Sequence, residues 1–184
     1  MKQIAFSAER TQPFTKGHFY LNSEMLRDND LIIIGIGSTQ IERTSQNPFT
    51  PEERKDMFIT VFGQTKKIRF VYLKDIGAAH PKEWQEYCLS RIKASGNPTP
   101  TRYYAGSKTD GEWFKDAINL DSDKIELITL NRYTTPFMSG TEIRKSISNG
   151  SNEWEDHVPG CLISFIKEKY PKTLTLDYHL NKKG

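Results

Sequence analysis

Leu31-Ile32-Ile33-Ile34-Gly35-Ile36-Gly37 is an unbroken apolar run of strand length. A strand with one wet face alternates apolar and polar residues. A run that is apolar on both faces belongs to a parallel sheet covered by helices on either side. The flanking segments agree with that reading. Residues 2–6 read as a short strand, and a helical pattern starts near Gly17 and reaches about Arg27, with Phe19, Leu21, Met25 and Leu26 on the expected buried side. After the apolar run, Thr50 can cap a second helix, Pro51 suits its first position and Glu53 completes a capping box; the pattern continues through Phe62. Residues 68–73 read as a strand. Residues 81–94 read as a helix with Trp84, Tyr87, Cys88 and Ile92 at helical spacing, stopped by Gly96-Asn97-Pro98. Strands over 102–105 and 125–130 bracket a short helix over 113–118. Ser139 and Glu142 form a second capping box for a helix that stops at Gly150, and Pro159 starts a last helix to about Tyr170. Strands and helices thus alternate from residue 2 to residue 170. This order predicts an α/β fold, a doubly wound parallel sheet in a single domain spanning 1–170, with a tail over 171–184. In the tail Leu174, Leu176, Tyr178 and Leu180 alternate with polar residues, which fits an added edge strand, a subunit contact or a loosely ordered terminus.

Composition narrows the function. A chain of 184 residues with 36% hydrophobic and 27% charged residues is an ordinary soluble globular protein, not a disordered one. The net charge of +3 is too small an excess to predict nucleic-acid binding, and suits a local pocket for an anionic small molecule. Cys88 and Cys161 fall in helical patterns with no His at metal-ligand spacing, which argues against a zinc site and for a reducing, cytoplasmic compartment. The N-terminus turns polar too soon for a signal peptide, and no apolar stretch approaches membrane-spanning length, so no membrane partner is expected.

Two segments carry the chemistry. The first is Glu9-Arg10-Thr11-Gln12-Pro13-Phe14-Thr15-Lys16-Gly17-His18, between the first strand and the first helix. Gly17 lets a ligand approach the backbone, the free N–H groups of the helix start attract phosphate oxygens, and Arg10, Lys16 and His18 add side-chain donors. The second is Met138-Ser139-Gly140-Thr141-Glu142-Ile143-Arg144, also at a helix start, where Ser139 and Thr141 offer hydroxyls and Arg144 can reach back over the first turn. Taken alone, the first reads as a solvated basic loop and the second as a capped helix with an exposed Arg. Taken together, they open the first helix and the helix after the last parallel strand. In a doubly wound fold both can face one crevice at the carboxyl ends of the strands, around one polyanion.

At these residues the chain resembles the nucleotidylyltransferase superfamily. Thr15-Lys16-Gly17-His18 resembles its (H/T)xGH motif, and Ser139-Gly140-Thr141-Glu142-Ile143-Arg144 its ISxTxxR-type motif. Gln12-Pro13-Phe14, Gly35-Ile36-Gly37-Ser38-Thr39-Gln40 and Asn47-Pro48-Phe49-Thr50-Pro51-Glu52-Glu53-Arg54 resemble further segments of the nicotinamide mononucleotide (NMN) adenylyltransferases of the archaeal and Nudix-fused types. The resemblance covers about residues 1–170 and implies a Rossmann-like nucleotidylyltransferase fold. It implies adenylyl transfer from ATP to NMN, giving NAD and pyrophosphate by direct in-line attack without a covalent intermediate, with Mg²⁺ held mainly by the ATP phosphates. His18, Thr15 and Arg144 would act in catalysis. Arg10, Lys16, Gly17, Ser139 and Thr141 would bind the ATP phosphates. Trp84, Arg54, Gly35, Gly37 and Ser38 would form the acceptor side, Trp84 by stacking on the nicotinamide ring. Relatives of this kind are usually oligomers, so the resemblance also implies a homo-oligomer.

Other readings stay open beside these roles. Trp84 equally fits an ordinary core position on an amphipathic helix. Asp75 fits a surface position better than a ligand contact, and Lys108 and Asp110, in a segment resembling that of the Nudix-fused relatives, also suit a plain turn. Three residues depart from the family pattern: Glu9 in place of Gly, Thr11 in place of Phe, and Thr15 in place of the first motif His. A carboxylate at position 9 would repel phosphate unless it turned to solvent or paired with a Lys or Arg. The alternatives are transfer to another phosphorylated acceptor (nicotinate mononucleotide, flavin mononucleotide, phosphopantetheine or a polyol phosphate) and a nucleotide-binding module with little turnover.

Overall fold

The structure, a computed structural model, describes residues 2–107, 125–130 and 138–174. Five strands, β1 (Ile4–Glu9), β2 (Leu31–Ile36), β3 (Ile68–Tyr72), β4 (Arg102–Ala105) and β5 (Glu126–Thr129), form one sheet in the order β3-β2-β1-β4-β5. Every neighbouring pair is parallel, with Ile4 opposite Leu31 and Ile36 opposite Tyr72. The helices are α1 (Lys16–Asp28), α2 (Pro51–Phe62), α3 (Pro81–Ala94), α4 (Gly140–Ser148) and α5 (Ile163–Lys169). The first three strands step outward from β1 to one edge, and the chain then crosses to lay β4 and β5 on the other side. That reversal opens a crevice at the carboxyl ends of β1 and β4.

β2 shows why the sheet is covered twice. Ile32, Ile34 and Ile36 enter a core shared with Leu21 and Met25 of α1, Met57 and Phe58 of α2 and Ile143 of α4. Leu31 and Ile33 enter a second core shared with Cys88 and Ile92 of α3. All six β2 residues are buried, as a run apolar on both faces requires. Both predicted capping boxes form: Thr50 and Glu53 bond each other's backbone N–H at the start of α2, and Ser139 and Glu142 do so at α4.

Some expectations change. Phe19 is 44% exposed, because the buried stripe of α1 runs through Gly17, Leu21, Asn22 and Met25. Its ring instead stacks on Phe62, at 5.7 Å and 9°. The last helix is not continuous from Pro159: a 3₁₀ turn at Gly160–Leu162 precedes α5, and another, Glu153–His157, follows α4. The helix expected over 113–118, Lys108, Asp110 and the tail from residue 175 onward lie outside the described residues.

Candidate active site

The first loop is pinned from below by an aromatic anchor. Phe14 is fully buried, edge-on to Phe58 and Phe62 of α2. From that anchor the chain enters α1, where Thr15 is the N-cap and His18 sits in the first turn. The Thr15 hydroxyl accepts from the His18 N–H at 3.3 Å, while His18 Nδ1 accepts from the Thr15 N–H at 3.0 Å and lies 2.9 Å from Thr15 Oγ1. A backbone N–H can only donate, so Nδ1 carries the lone pair and the proton of the neutral imidazole is assigned to Nε2. Thr15, expected to act in catalysis, is turned toward His18 and fixes its ring. The half-buried His18 is thereby held as an Nε2–H donor beside the Phe14 ring, 5.5 Å away.

Glu9 does not turn to solvent. It is 5% exposed, and both its oxygens accept from Asn22 Nδ2 of α1, at 3.0 and 3.1 Å. The carboxylate is thus directed into the β1–α1 packing by an uncharged partner. Asn22 also donates to the His18 carbonyl at 2.9 Å, so it ties the end of β1 to the turn that bears His18.

The second loop meets the first. Arg144 is 7% exposed; its Nη1 donates to the Gln12 carbonyl at 2.6 Å and its Nη2 to Thr141 Oγ1 at 3.1 Å. Gly140 packs so closely on the same carbonyl that a Cβ there would sit 3.1 Å from it. The N-terminus of α4, with exposed Ser139 and Thr141, is therefore set against the loop that leads into Thr15-Lys16-Gly17-His18. Sequence reading quoted Gln12 only as part of a matched segment and missed its task. Its carbonyl receives Arg144, while its side chain pairs with both backbone groups of buried Phe49, at 2.9 and 3.0 Å. Gln12 is where β1, α4 and the loop before α2 are joined.

Arg54 corrects an expectation in part. It is fully buried, and it donates to the carbonyls of Thr50, Arg10 and Gly37, so it laces the ends of β1 and β2 together. Its Nη2 has no hydrogen-bond partner among the described residues. Burial, and then the nearby charge of Arg10, pull its pKa down to about 10, which leaves it charged at neutral pH. Two cations held close with a donor unclaimed make a place where an anion is favoured.

On the acceptor side Gly37 lies at the crevice, its N–H donating to the Glu9 carbonyl at 2.9 Å. Gly35 is explained by packing instead: a Cβ there would lie 2.6 Å from Leu73 and 2.9 Å from Phe6. Ser38 is 3% exposed with φ +52°, and its hydroxyl donates to Asp75 at 3.0 Å. Asp75, read as a surface residue, is exposed but shapes the site by also accepting from Gln40 at 3.2 Å. Trp84, half-buried on α3, packs on the apolar cluster beneath that helix with its ring 5.7 Å from Tyr87. Arg10 is exposed and Lys16 half-buried, while Gly17 is buried in the first turn of α1.

A doubly wound sheet whose first and fourth helices open onto one loop lined with Arg and His donors defines a Rossmann-like nucleotidylyltransferase fold. No protein-family model matches the chain. It is 34% identical over 164 residues to a nicotinamide-nucleotide adenylyltransferase of Methanococcus maripaludis strain C6, covering 89% of this chain and 88% of that protein. It is 31% identical over 162 residues to one of Thermococcus onnurineus, covering 86% and 79%. By these relatives the chain belongs to the nicotinamide-nucleotide adenylyltransferase family. Among solved structures it is similar to a bifunctional NMN adenylyltransferase/ADP ribose pyrophosphatase from Francisella tularensis. The TM-score is 0.67 at 20% identity, covering 91% of this chain and 50% of that one. A second structure of that bifunctional protein, complexed with AMP and a manganese ion, gives 0.63 at 22% identity and the same coverage.

Proposed function

We propose that this chain transfers the adenylyl group of ATP to NMN, forming NAD and pyrophosphate, and that residues 1–170 are the unit that does so. The observation that carries the reading is the seating of α4 on the Gln12 carbonyl, in the loop that leads into α1, in a chain one-third identical to nicotinamide-nucleotide adenylyltransferases. A phosphate oxygen of NMN attacks the α-phosphorus of ATP. The new P–O bond forms as the bond from Pα to the bridging oxygen breaks, and pyrophosphate leaves with that electron pair. The nucleophile is already an anion, so no strong base is required. Catalysis rests on alignment and on donors aimed at the charge that builds on the reacting phosphates.

His18 Nε2–H donates to the α-phosphate as negative charge grows there. Arg144, with the hydroxyls and free N–H groups at the start of α4, holds the outgoing β- and γ-phosphates. Arg10, Lys16 and the start of α1 hold the same chain of phosphates from the other side. Arg10 receives the acceptor phosphate, with the buried charge of Arg54 behind it, near Gly37 and the Ser38–Asp75 pair. Trp84 offers its indole face to the cationic pyridinium, a contact worth about 0.5–2 kcal/mol. Among the described residues no group of His, Cys, Asp and Glu side chains is placed to hold a metal ion. The crevice donors suit phosphate oxygens, so magnesium enters as MgATP, carried by the phosphates and water. Bound there, the ion neutralises phosphate charge.

Both described cysteines are free, in keeping with a cytoplasmic protein, and among the described residues no helix is long and apolar enough to cross a membrane. Self-association, the remaining expectation, is read from the mass in solution by light scattering. The activity is tested by incubating the protein with MgATP and each acceptor in turn: NMN, nicotinate mononucleotide, flavin mononucleotide, phosphopantetheine and a polyol phosphate. NAD and pyrophosphate in equal amounts with NMN are expected. Faster turnover of another acceptor moves the assignment there, and tight ATP binding without pyrophosphate release refutes transfer altogether.

A further inference from the structure

Helix α4 presents Ser139, Thr141 and Arg144, so whatever fixes its first turn fixes half of the phosphate site. Two consecutive backbone N–H groups lead into that turn, and a side chain takes each. Ser139 N–H donates to Glu142 at 2.6 Å, within the capping box. Met138 N–H donates to Nδ1 of His157 at 3.2 Å, from nineteen residues further along the chain. His157 ends the Glu153–His157 turn. That turn is anchored apart from the loop it holds: Trp154 is 3% exposed and Val158 is 1% exposed, in the core that contains Ile143 of α4.

We propose that His157 is a positioning residue for adenylyl transfer, which in its neutral form holds the approach to α4 through the Met138 N–H and releases it on protonation. The proposal rests on the reading that α4 binds the ATP phosphates. An imidazole nitrogen that accepts from a backbone N–H must keep its lone pair. Protonation turns the acceptor into a donor and leaves the Met138 N–H facing another N–H. The charged groups around the ring add to this. From α4, Glu142 attracts the imidazolium, and Lys145 opposes it; Glu142 is held below the usual carboxylate range first by its hydrogen bonds from Ser139, then by the charges of His157 and Lys145. On the ring's own turn are Glu153, Glu155 and Asp156, of which Glu155 is paired with Lys167 of α5 at 2.7 Å. An imidazolium thus loses Met138 and draws on Glu142, the partner of the Ser139 N–H, so both N–H groups are loosened by one proton. The interaction is intact while the ring is neutral and is lost when it takes up a proton.

Two substitutions separate this from a purely structural role: His157→Gln, whose amide oxygen can accept the same N–H without titrating, and His157→Leu, which cannot accept it. Near pH 8, His157→Leu should lower kcat/KM for MgATP about threefold to tenfold, the range for one lost neutral hydrogen bond, with KM for NMN unchanged. His157→Gln should stay within about twofold there. The diagnostic quantity is the ratio of His157→Gln to wild type, in which every group the two proteins share cancels. It should rise at least about threefold as pH drops from about 8 to about 5.5. The Met138 amide resonance should follow the titration of the His157 ring in the wild type and stay put in His157→Gln. A flat ratio, or a Met138 amide indifferent to the ring's titration, overturns the proposal. Should the wild type form no NAD, the acceptor assignment fails by itself, and the same ratio is then taken from MgATP affinity by calorimetry.

Discussion

Replacing Gln12 tests the joint on which the site depends. Gln12 is 3% exposed, and its side chain serves as a substitute strand partner for Phe49, itself fully buried: Oε1 accepts from the Phe49 N–H and Nε2 donates to the Phe49 carbonyl. Gln12→Met keeps the bulk and removes both bonds, so it isolates the polar term from any cavity. Each buried backbone group left unpaired costs about 1–3 kcal/mol, and two cost roughly 2–6. Partial relief by local rearrangement places the expected loss at about 2–4 kcal/mol, with a fall in Tm of about 4–15 °C for a domain of this size. Urea unfolding followed by tryptophan fluorescence measures the loss. Calorimetry supplies Tm, and steady-state rates show whether kcat falls as well, since the carbonyl that receives Arg144 belongs to the same residue. A Gln12→Met protein within about 0.5 kcal/mol of wild type, with kcat unchanged, would refute the claim that this residue joins the two loops.

Three further substitutions address separate parts of the argument. His18→Ala should lower kcat by about a hundredfold or more, while weakening ATP binding far less, because the ring acts on charge that develops only during reaction; an unchanged kcat removes it from that role. Trp84→Ala should raise KM for NMN and leave KM for ATP nearly alone; an effect on ATP only would mean the ring serves the core under α3. Gly35→Ala should cost about 1–3 kcal/mol in urea unfolding, since the new methyl must displace Leu73 and Phe6, with KM values close to wild type; stability equal to wild type would contradict the packing role assigned to this glycine.

The outcome at particular residues shows what a linear pattern can and cannot carry. The apolar run over 31–37 and the caps at Thr50 and Ser139 are local signals: period, length and capping chemistry are properties of neighbours in the chain. They sufficed for the parallel sheet, the helix starts and the pair of N-termini that bear His18 and Arg144. Most element ends shifted by a residue or two, but β1 runs over Ile4–Glu9 where residues 2–6 were expected, so Ser7 to Glu9 belong to the strand and not to the loop; the interrupted last helix was invisible because 3₁₀ turns share the residue preferences of α-helix ends. Roles decided by what lies across the fold were beyond reach. Gly35 matched a crevice motif but is fixed by two side chains from outside β2, and Arg54 matched a phosphate position but is also a brace among three carbonyls.

By itself, then, the order of residues determined the alternation of strands and helices, the chemistry available at two helix starts and the family to which they point, since each depends on spacing along the chain. Only the tertiary structure decided where the surrounding groups are aimed: Glu9 turned onto Asn22, Arg144 seated on the Gln12 carbonyl, and Met138 held by a histidine nineteen residues away. A hydrogen bond between distant segments depends on how the sheet twists and how the helices pack on it, and no periodicity in the chain encodes that distance.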